Sequence, residues 1–407
     1  MKVLMVNKFF YIKGGSETYY FSLKKLLEKH GHTVIDFSMK DEKNFESPYS
    51  KFFVENVDYN KKQSIFDKVK EAGKIIYSFE ARKKIEELIK ETKPDIAHLH
   101  IFQHQLSLSI LDVLKKYNIP IIYTAHDLKM ICPNYKMLTH GKICEECKGQ
   151  KYIKCLKNKC LKDSAVKSAV AMMEAYINKW RKAYDKIDYI ITPSEFYRKK
   201  FIEFGIDENK ISHIPNFLTT EQVDYDVISD QDYFLYFGRL SEEKGIMTLI
   251  KAMEGIKSTL KVVGTGPLQD EIKQFVKDKN YKNIEILGFK SGKELNTIVA
   301  NAKSVVLPSE WYENGPYSAI ESLKSGRLII GSDLGGIPEL IEENKNGFIF
   351  KHGNVKELNE CIKKIEDLKQ NEILEMQKYS KKMFLDKYTD VTHYNSIMKI
   401  YEKVVKK

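Results

Sequence analysis

Two glutamates, Glu313 and Glu321, stand in the run Pro308-Ser309-Glu310-Trp311-Tyr312-Glu313-Asn314-Gly315-Pro316-Tyr317-Ser318-Ala319-Ile320-Glu321. Gly315-Pro316 suits a loop entering a helix, because proline fits the first helical position. Glu313 then lies before the helix, with Glu321 about two turns inside it. One carboxylate can meet a sugar hydroxyl while the other accepts from a ribose, and the free N–H groups of Asn314 to Ser318 face the same space. The plain alternative is an acidic helix with Glu321 in water. Its neighbours Ala319, Ile320 and Leu323 are apolar, which puts Glu321 at a core edge with a partner.

A second group is Gly238-Arg239-Leu240-Ser241-Glu242-Glu243-Lys244-Gly245, which follows the apolar run 233–237. Arg239 at a strand end and Lys244 at a helix start can converge on a diphosphate, Arg as a bidentate fork and Lys as a point charge. Most such residues are solvated loop charges. Here the position at the carboxyl end of a parallel strand, where open α/β sheets bind ligands, argues for a site. Val263-Gly264-Thr265-Gly266-Pro267-Leu268 repeats the strand–turn–helix pattern, but Gly264 and Gly266 lack the third glycine of a dinucleotide fingerprint. Near the N-terminus, Gly14-Gly15-Ser16-Glu17 lets the backbone turn sharply and offers helix N–H groups to an anion. Its plain alternative is a strand-to-helix turn with Ser16 as N-cap.

Such loops need a rigid frame, and the chain supplies one. Apolar runs at 3–6, 33–37, 95–99, 120–124 and 188–191 read as buried strands, separated by helical patterns. One such pattern is 65–89, where Phe66, Val69, Ile76, Phe79, Ile85, Leu88 and Ile89 recur at roughly helical spacing. After the polar, acidic stretch 218–232 the pattern restarts, with strands at 233–237, 259–263, 283–287, 303–307, 328–331 and 347–350. Continuous apolar strands alternating with helices imply α/β architecture with parallel sheets covered on both faces. The boundary falls near 216–232. Residues 1–217 form one domain, 218–387 a second, and a helix over 388–407 packs back on the first.

The ordered set of Glu313 and Glu321 seven residues apart, GRLSEEKG, VGTGP, the GGSE loop and Ile214-Pro215-Asn216 resembles the retaining glycosyltransferases of family GT4. The resemblance covers nearly the whole chain. It implies the GT-B fold, two Rossmann-like domains facing across a cleft. It further implies a nucleotide-sugar donor, UDP-linked by family habit with GDP-mannose next, held mainly by the second domain. In that family pattern Arg239 and Lys244 bind the donor diphosphate. Glu321 holds the ribose, Glu313 the donor sugar hydroxyls, and Gly15 lets its loop touch the diphosphate or the reacting sugar. His126, in Thr124-Ala125-His126-Asp127 after the strand 120–124, matches the family's active-site histidine; Asp127 caps or orients. A histidine at a strand end is often structural, held by a carbonyl, but its place at the inter-domain face favours the functional reading. No protein nucleophile and no catalytic metal are expected. The acceptor implied is a surface polysaccharide or a lipid-linked oligosaccharide.

Five of the six cysteines, Cys132, Cys144, Cys147, Cys155 and Cys160, fall within 29 residues, and Cys361 stands alone on a late helix. In a reducing compartment such a cluster favours metal over disulfides. Cys144-x2-Cys147 and Cys155-x4-Cys160 offer four thiolates for structural zinc, with Cys132 spare or an alternative ligand; metal-free thiols or disulfides are the alternative. This Cys-rich insertion, about 132–160, is the departure from the minimal family pattern. The segment 142–162 carries seven lysines against Glu145 and Glu146, and is expected to overhang the acceptor side of the cleft, facing a lipid diphosphate, an anionic membrane or simply water.

The chain is 43% hydrophobic and 30% charged, with a formal net charge of +11, so it is globular and has a polyanionic neighbour in prospect. It has no apolar run long enough to span a bilayer and no signal-peptide pattern. The expected location is the cytoplasm, with peripheral contact at the inner membrane face. A nucleotide-sugar epimerase or phosphorylase-like enzyme would keep the fold, but Glu313 with Glu321 and GGSE favours transfer, and no lysine-bound cofactor announces itself. A zinc-containing nucleic-acid-binding protein would leave the Gly-rich turns unexplained and would want its charge in one stripe. No nucleic-acid partner is therefore expected. A degenerate fold that only binds nucleotide would not need every motif residue present.

Overall fold

The computed structural model describes residues 1–56, 73, 75–220 and 232–406. Two six-stranded sheets, all parallel, organise it. The first contains β1 (Lys2–Val6), β2 (Thr33–Phe37), β3 (Ile96–Leu99), β4 (Ile121–Thr124), β7 (Tyr189–Thr192) and β8 (Ile211–His213) in the order β2-β1-β3-β4-β7-β8. The second contains β9 (Tyr233–Phe237), β10 (Thr259–Val263), β11 (Ile284–Gly288), β12 (Ser304–Leu307), β13 (Leu328–Ser332) and β14 (Gly347–Phe350) in the order β11-β10-β9-β12-β13-β14. A two-stranded antiparallel pair, β5 (Leu138–Thr139) and β6 (Lys142–Ile143), lies outside both.

The central strands are buried along their whole length. Every residue of β3, β4, β7, β9, β12 and β13 is buried. Helices cover both faces of each sheet, which is why the strands read as unbroken apolar runs rather than alternating ones. The expected strands hold with ends moved by a residue or so. β8 was not expected: three residues, one of them His213, give too little apolar signal. The helix expected over 65–89 is not continuous: residues 73, 75 and 76 are helical, the chain leaves the helix at Tyr77 and Ser78, and α2 (Phe79–Thr92) starts anew, capped by the Ser78 side chain accepting from the Ala81 N–H. Residues 65–72 and 74 lie outside the described set, as does most of the acidic stretch 218–232.

Each sheet reverses its strand order once, between β1 and β3 in the first and between β9 and β12 in the second. Crevices for ligands open at the carboxyl ends of strands at such points. The GGSE loop and α1 (Gly15–Lys29) follow β1, GRLSEEKG follows β9, and the Glu313 loop follows β12. The other helices that matter for the site are α5 (Ala165–Trp180), α6 (Glu195–Glu203), α10 (Tyr317–Lys324) and the last, α13 (Asp390–Val405).

Helix α13 packs against the first sheet's layer. Ile397, Tyr401 and Val404 join the core of Leu23, Leu27, Ile96 and Ile191. Burying an aliphatic side chain of this size is worth about 1.5–3 kcal/mol before the cost of ordering the chain. Polar ties add direction: Tyr401 Oη meets His98 Nδ1 at 2.8 Å, and His393 Nε2 meets Tyr19 Oη at 3.1 Å.

Candidate active site

Glu313 is the best-held carboxylate of the candidate site. Its Oε1 accepts from Lys244 Nζ at 2.6 Å, Ser309 Oγ at 2.7 Å and Trp311 Nε1 at 2.8 Å, and the residue is 6% exposed. Burial alone would raise its carboxyl. The Lys244 charge and the three donors outweigh that and hold it below the ordinary glutamate range. Trp311 also offers its ring to Lys244, with Nζ 5.2 Å from the centroid. Thus the two predicted groups, GRLSEEKG and the Glu313 loop, meet as an ion pair at the carboxyl ends of β9 and β12.

The Gly-rich turns are packed too closely for side chains. Gly264 has φ +132°, and a Cβ there would stand 1.9 Å from the Gly238 carbonyl oxygen. Backbone bonds Leu240 N–H to Thr265 O (3.0 Å) and Leu268 N–H to Leu240 O (3.0 Å) lock the VGTGP turn, Gly266 included, onto the GRL loop. Arg239 is exposed beside them, with no carboxylate partner among the described residues. Gly335, with φ +64°, has the same constraint: its Cβ would lie 2.4 Å from the Glu313 nitrogen. The next residue, Gly336, donates its N–H to the Glu313 carbonyl at 2.8 Å. Sequence reasoning missed this Gly335-Gly336 turn after β13, although it carries the strand-end glycine signature used for Gly264.

Glu321 is on the fifth residue of α10, which begins at Tyr317 with Pro316 as its N-cap. Proline therefore sits one position earlier than expected, and Glu321 is just over one turn inside rather than two. The expected partner is not a hydrogen bond, for none reaches its carboxyl among the described residues. Burial raises it to about 7, and the nearby Lys324 charge offsets only part of that. Tyr317, beside it, buries a hydroxyl that has no partner among the described residues. Ser318 follows on the first turn of the helix, accepting through its carbonyl from Ser322 Oγ at 2.6 Å.

The two halves touch at this point. A Cβ on Gly15 would be in contact with the Tyr317 ring at 3.4 Å, so the GGSE loop lies directly against the start of α10. Gly14 is the N-cap of α1, with no side-chain cap. Ser16 is therefore not the cap; its hydroxyl instead donates to Glu17 at 3.0 Å. Asn314 Nδ2 donates to the Ala125 carbonyl at 2.8 Å and its Oδ1 accepts from Ser194 Oγ at 3.0 Å. Asn216 Nδ2 donates to the Gly315 carbonyl at 2.9 Å. Glu339 accepts from the first N–H groups of α6, Glu195 at 2.9 Å and Phe196 at 2.6 Å.

His126 follows Ala125 and so is fixed relative to the Glu313 loop. Its Nε2 lies 3.2 Å from Nδ1 of His100, which is fully buried behind it at the end of β3. Burial pushes His126 down to about 3, so its ring is neutral near pH 7. Among the described residues His100 has no partner for Nε2. An unpaired buried lone pair is cheaper than an unpaired N–H, so His100 carries its proton on Nδ1 and donates to His126. His126 then carries its own proton on Nδ1. Asp127 Oδ1 accepts from the Lys129 N–H at 2.9 Å, which is a turn-capping role. Lys8 at the end of β1 faces Asp127 and is held down by burial. His100 and Lys8 were not singled out from the sequence, where each is an ordinary residue at the end of an apolar run.

Cys132, Cys144, Cys147, Cys155 and Cys160 line one small cavity of about 10 Å³, with no carboxylate among its walls. All are free thiols. The donor chemistry suits a thiolate-bound metal and includes Cys132 with the four expected residues. Among the described residues, however, no three Cys, His, Asp or Glu are arrayed at ligand spacing. The Cys-rich segment 132–160 reaches the second half of the chain: Lys136 Nζ pairs with Glu243 at 3.4 Å, and Glu145 accepts from Tyr312 Oη at 2.6 Å. Cys361 is buried on the helix Val355–Glu366.

Two parallel α/β halves that meet through Asn314 and Gly15 define a GT-B glycosyltransferase architecture, and the family comparison agrees. The chain belongs to Glycosyltransferase Family 4, whose model matches residues 13–222, and the model of Glycosyl transferases group 1 matches residues 219–383. It is therefore a glycosyltransferase. A 42.6 kDa protein in the cps region of Klebsiella pneumoniae is 24% identical over 357 residues, 84% of this chain and 87% of that one. The amylovoran biosynthesis glycosyltransferase AmsK of Erwinia amylovora is 23% identical over 201 residues, 46% of this chain and 49% of that one. A glycosyltransferase structure from Rickettsia africae matches with TM-score 0.69 at 19% identity, over 100% of this chain and 98% of that one. Anabaena Alr3699/HepE in complex with UDP matches with TM-score 0.64 at 17% identity, over 99% of this chain and 100% of that one. Among the described residues no helix is long and apolar enough to cross a membrane.

Proposed function

We propose that the enzyme moves a sugar from a UDP-linked donor to a glycan or lipid-linked acceptor in surface-polysaccharide synthesis, with retention of configuration. The observation that carries this reading is the ion pair of Lys244 with Glu313 beside two side-chain-free glycine turns. It places a cation, an ionised acceptor of hydroxyl hydrogen bonds and open backbone N–H groups at one crevice. Arg239 and Lys244 bind the diphosphate and stabilise charge as it departs, a preorganised electrostatic role. Glu321 accepts from the ribose, Glu313 from the sugar hydroxyls, and Asn314, Gly315, Tyr317 and Ser318, leading into and opening α10, supply backbone N–H groups. Residues 218–387 hold the donor, and residues 1–217 present the acceptor. His126, neutral and with its proton on Nδ1, donates a hydrogen bond to the reacting sugar. No catalytic metal is needed in this scheme; zinc on Cys144, Cys147, Cys155 and Cys160 would be structural.

The UDP complex of Alr3699/HepE supports the choice of nucleotide, and the name of AmsK supports the polysaccharide context. The test is a thermal-shift panel of UDP, GDP, ADP and their sugar conjugates. At a concentration of about 100 Kd a ligand stabilises by roughly 2.7 kcal/mol. A selective response to UDP or its sugars is expected; a selective response to GDP reassigns the donor, and no response to any nucleotide overturns the reading.

A further inference from the structure

Helix α5 is inside out. Its buried positions are Ser168, Ala171, Glu174 and Asn178, three of the four polar. Its outward face carries Val166 at 75% exposure, Met173 at 45%, Tyr176 at 37% and Trp180 at 84%. Val166, Met173 and Trp180 recur every seven residues, so they form one stripe along the helix. Ile153, 40% exposed, extends the stripe, since its N–H donates to Tyr176 Oη at 3.2 Å. A helix normally turns such a stripe to the core. Here the inward face is fixed by a buried ion pair, Lys129 Nζ to Glu174 Oε2 at 2.8 Å. That pair ties α5 to the turn that begins at His126. Rotating the helix to hide Trp180 would break this pair and strand a buried charge.

The surroundings of the stripe are cationic. Residues 148–182 contain ten Lys and Arg against Asp163 and Glu174; three of the ten, Lys148, Lys154 and Arg181, are paired with Glu203, Glu146 and Asp112, and Glu174 is taken by Lys129. Lys157, Lys162, Lys167 and Lys179 have no acidic partner among the described residues. A second copy of this chain would bring like charges together around the apolar contact. An anionic lipid surface satisfies both features: headgroups meet the lysines, while Trp180, Met173 and Val166 enter the interface.

We infer that the outward face of α5, with Ile153, is a seat for an anionic membrane surface. This deepens the lipid-linked part of the proposed function and rests on it for the acceptor, but its test does not depend on transfer. The full chain is sedimented with vesicles of phosphatidylcholine alone and with 30% phosphatidylglycerol (on the order of the anionic content that gives a useful surface potential). Binding to the anionic vesicles only, weakened by salt, is expected. Each Lys→Gln change at Lys157, Lys162, Lys167 or Lys179 lowers partitioning roughly five-fold. The triple change Val166→Ser, Met173→Ser, Trp180→Ser abolishes binding while leaving the thermal midpoint and UDP-sugar hydrolysis unchanged, because all three side chains point to solvent. Trp180 emission moves to the blue on binding, and the Trp180→Phe variant loses that shift. Absence of vesicle binding overturns the inference, as does a concentration-dependent dimer that the triple change dissolves. Vesicle binding without any nucleotide response leaves this inference standing and removes the donor assignment; the reverse result does the opposite.

Discussion

Replacing Glu321 by Gln is expected to stabilise the ligand-free enzyme while weakening its hold on the donor. The carboxyl is raised by burial to about 7, from an ordinary value of 4.5. The sign follows from proton binding. Between those two values the folded state keeps a proton that the unfolded chain has released, so stability falls as pH rises through this window and levels off above it. At 1.36 kcal/mol per pH unit, the cost to the fold is about 3 kcal/mol at pH 8 and under about 1 kcal/mol at pH 5. Gln keeps the shape and cannot ionise, so it removes that cost. Denaturant unfolding of wild type and Glu321→Gln across pH 5 to 8.5 reads the difference. The gain should grow with pH to about 3 kcal/mol and then stop growing. In the same variant a charge-assisted bond to the donor becomes a neutral one, a loss of roughly ten-fold or more in donor affinity. A gain independent of pH would refute the buried-carboxylate argument. A gain with unchanged donor affinity would remove Glu321 from the binding site.

Lys244→Ala leaves Glu313 buried with only Ser309 and Trp311 as donors, and should cost about 1–3 kcal/mol of stability together with roughly 10²-fold or more in transfer rate; a cycle with Glu313→Gln should recover part of the stability loss, and chemical denaturation with initial rates checks both. His126, held neutral down to about pH 3, should show no imidazole titration between pH 5 and 8 by ¹⁵N NMR, and the His100→Leu variant should scramble its tautomer while His100→Asn, which keeps a donor near the Nδ1 position, restores it. Acid exposure should destabilise the fold progressively below about pH 6.5, because the buried neutral histidines take up protons only on unfolding; His126→Gln should flatten that part of the stability curve measured by urea titration. Cys144→Ser with Cys147→Ser should loosen the insertion, read by limited proteolysis, and halve or abolish any bound zinc measured by mass analysis; unchanged protection and no metal in the wild type would dispose of the structural-zinc proposal.

Much of the fold was legible in the sequence because it rests on local signals. Strands buried on both faces must be apolar throughout, and Tyr233–Phe237 or Ile121–Thr124 can be read directly for that reason. Glycines at strand ends mark backbone contacts such as Gly264 against Gly238, which no other residue could make. The residue types at Arg239, Lys244 and Glu313 are visible for a related reason, since charged groups in the loops after strands need a purpose, and Glu321 is visible because its neighbours are apolar. β8 escaped because three residues carry no period. The local pattern permits Ser16 as a cap, the plain alternative for that loop, but the buried Glu17 carboxylate takes its hydroxyl.

What only the tertiary structure decided is which of these groups meet. Nothing local says that Lys244 reaches Glu313 across 69 residues of chain, that Asn314 clamps the backbone beside His126, or that His100 stands behind it and sets its proton. Periodicity alone cannot say whether the apolar stripe of α5 faces in or out. The Lys129–Glu174 pair decides that orientation, because a buried charge must face its partner and the rest of the helix follows. Sequence thus specified the strands and the chemistry at their ends; long-range pairing, which depends on distance in space and on desolvation, specified the site.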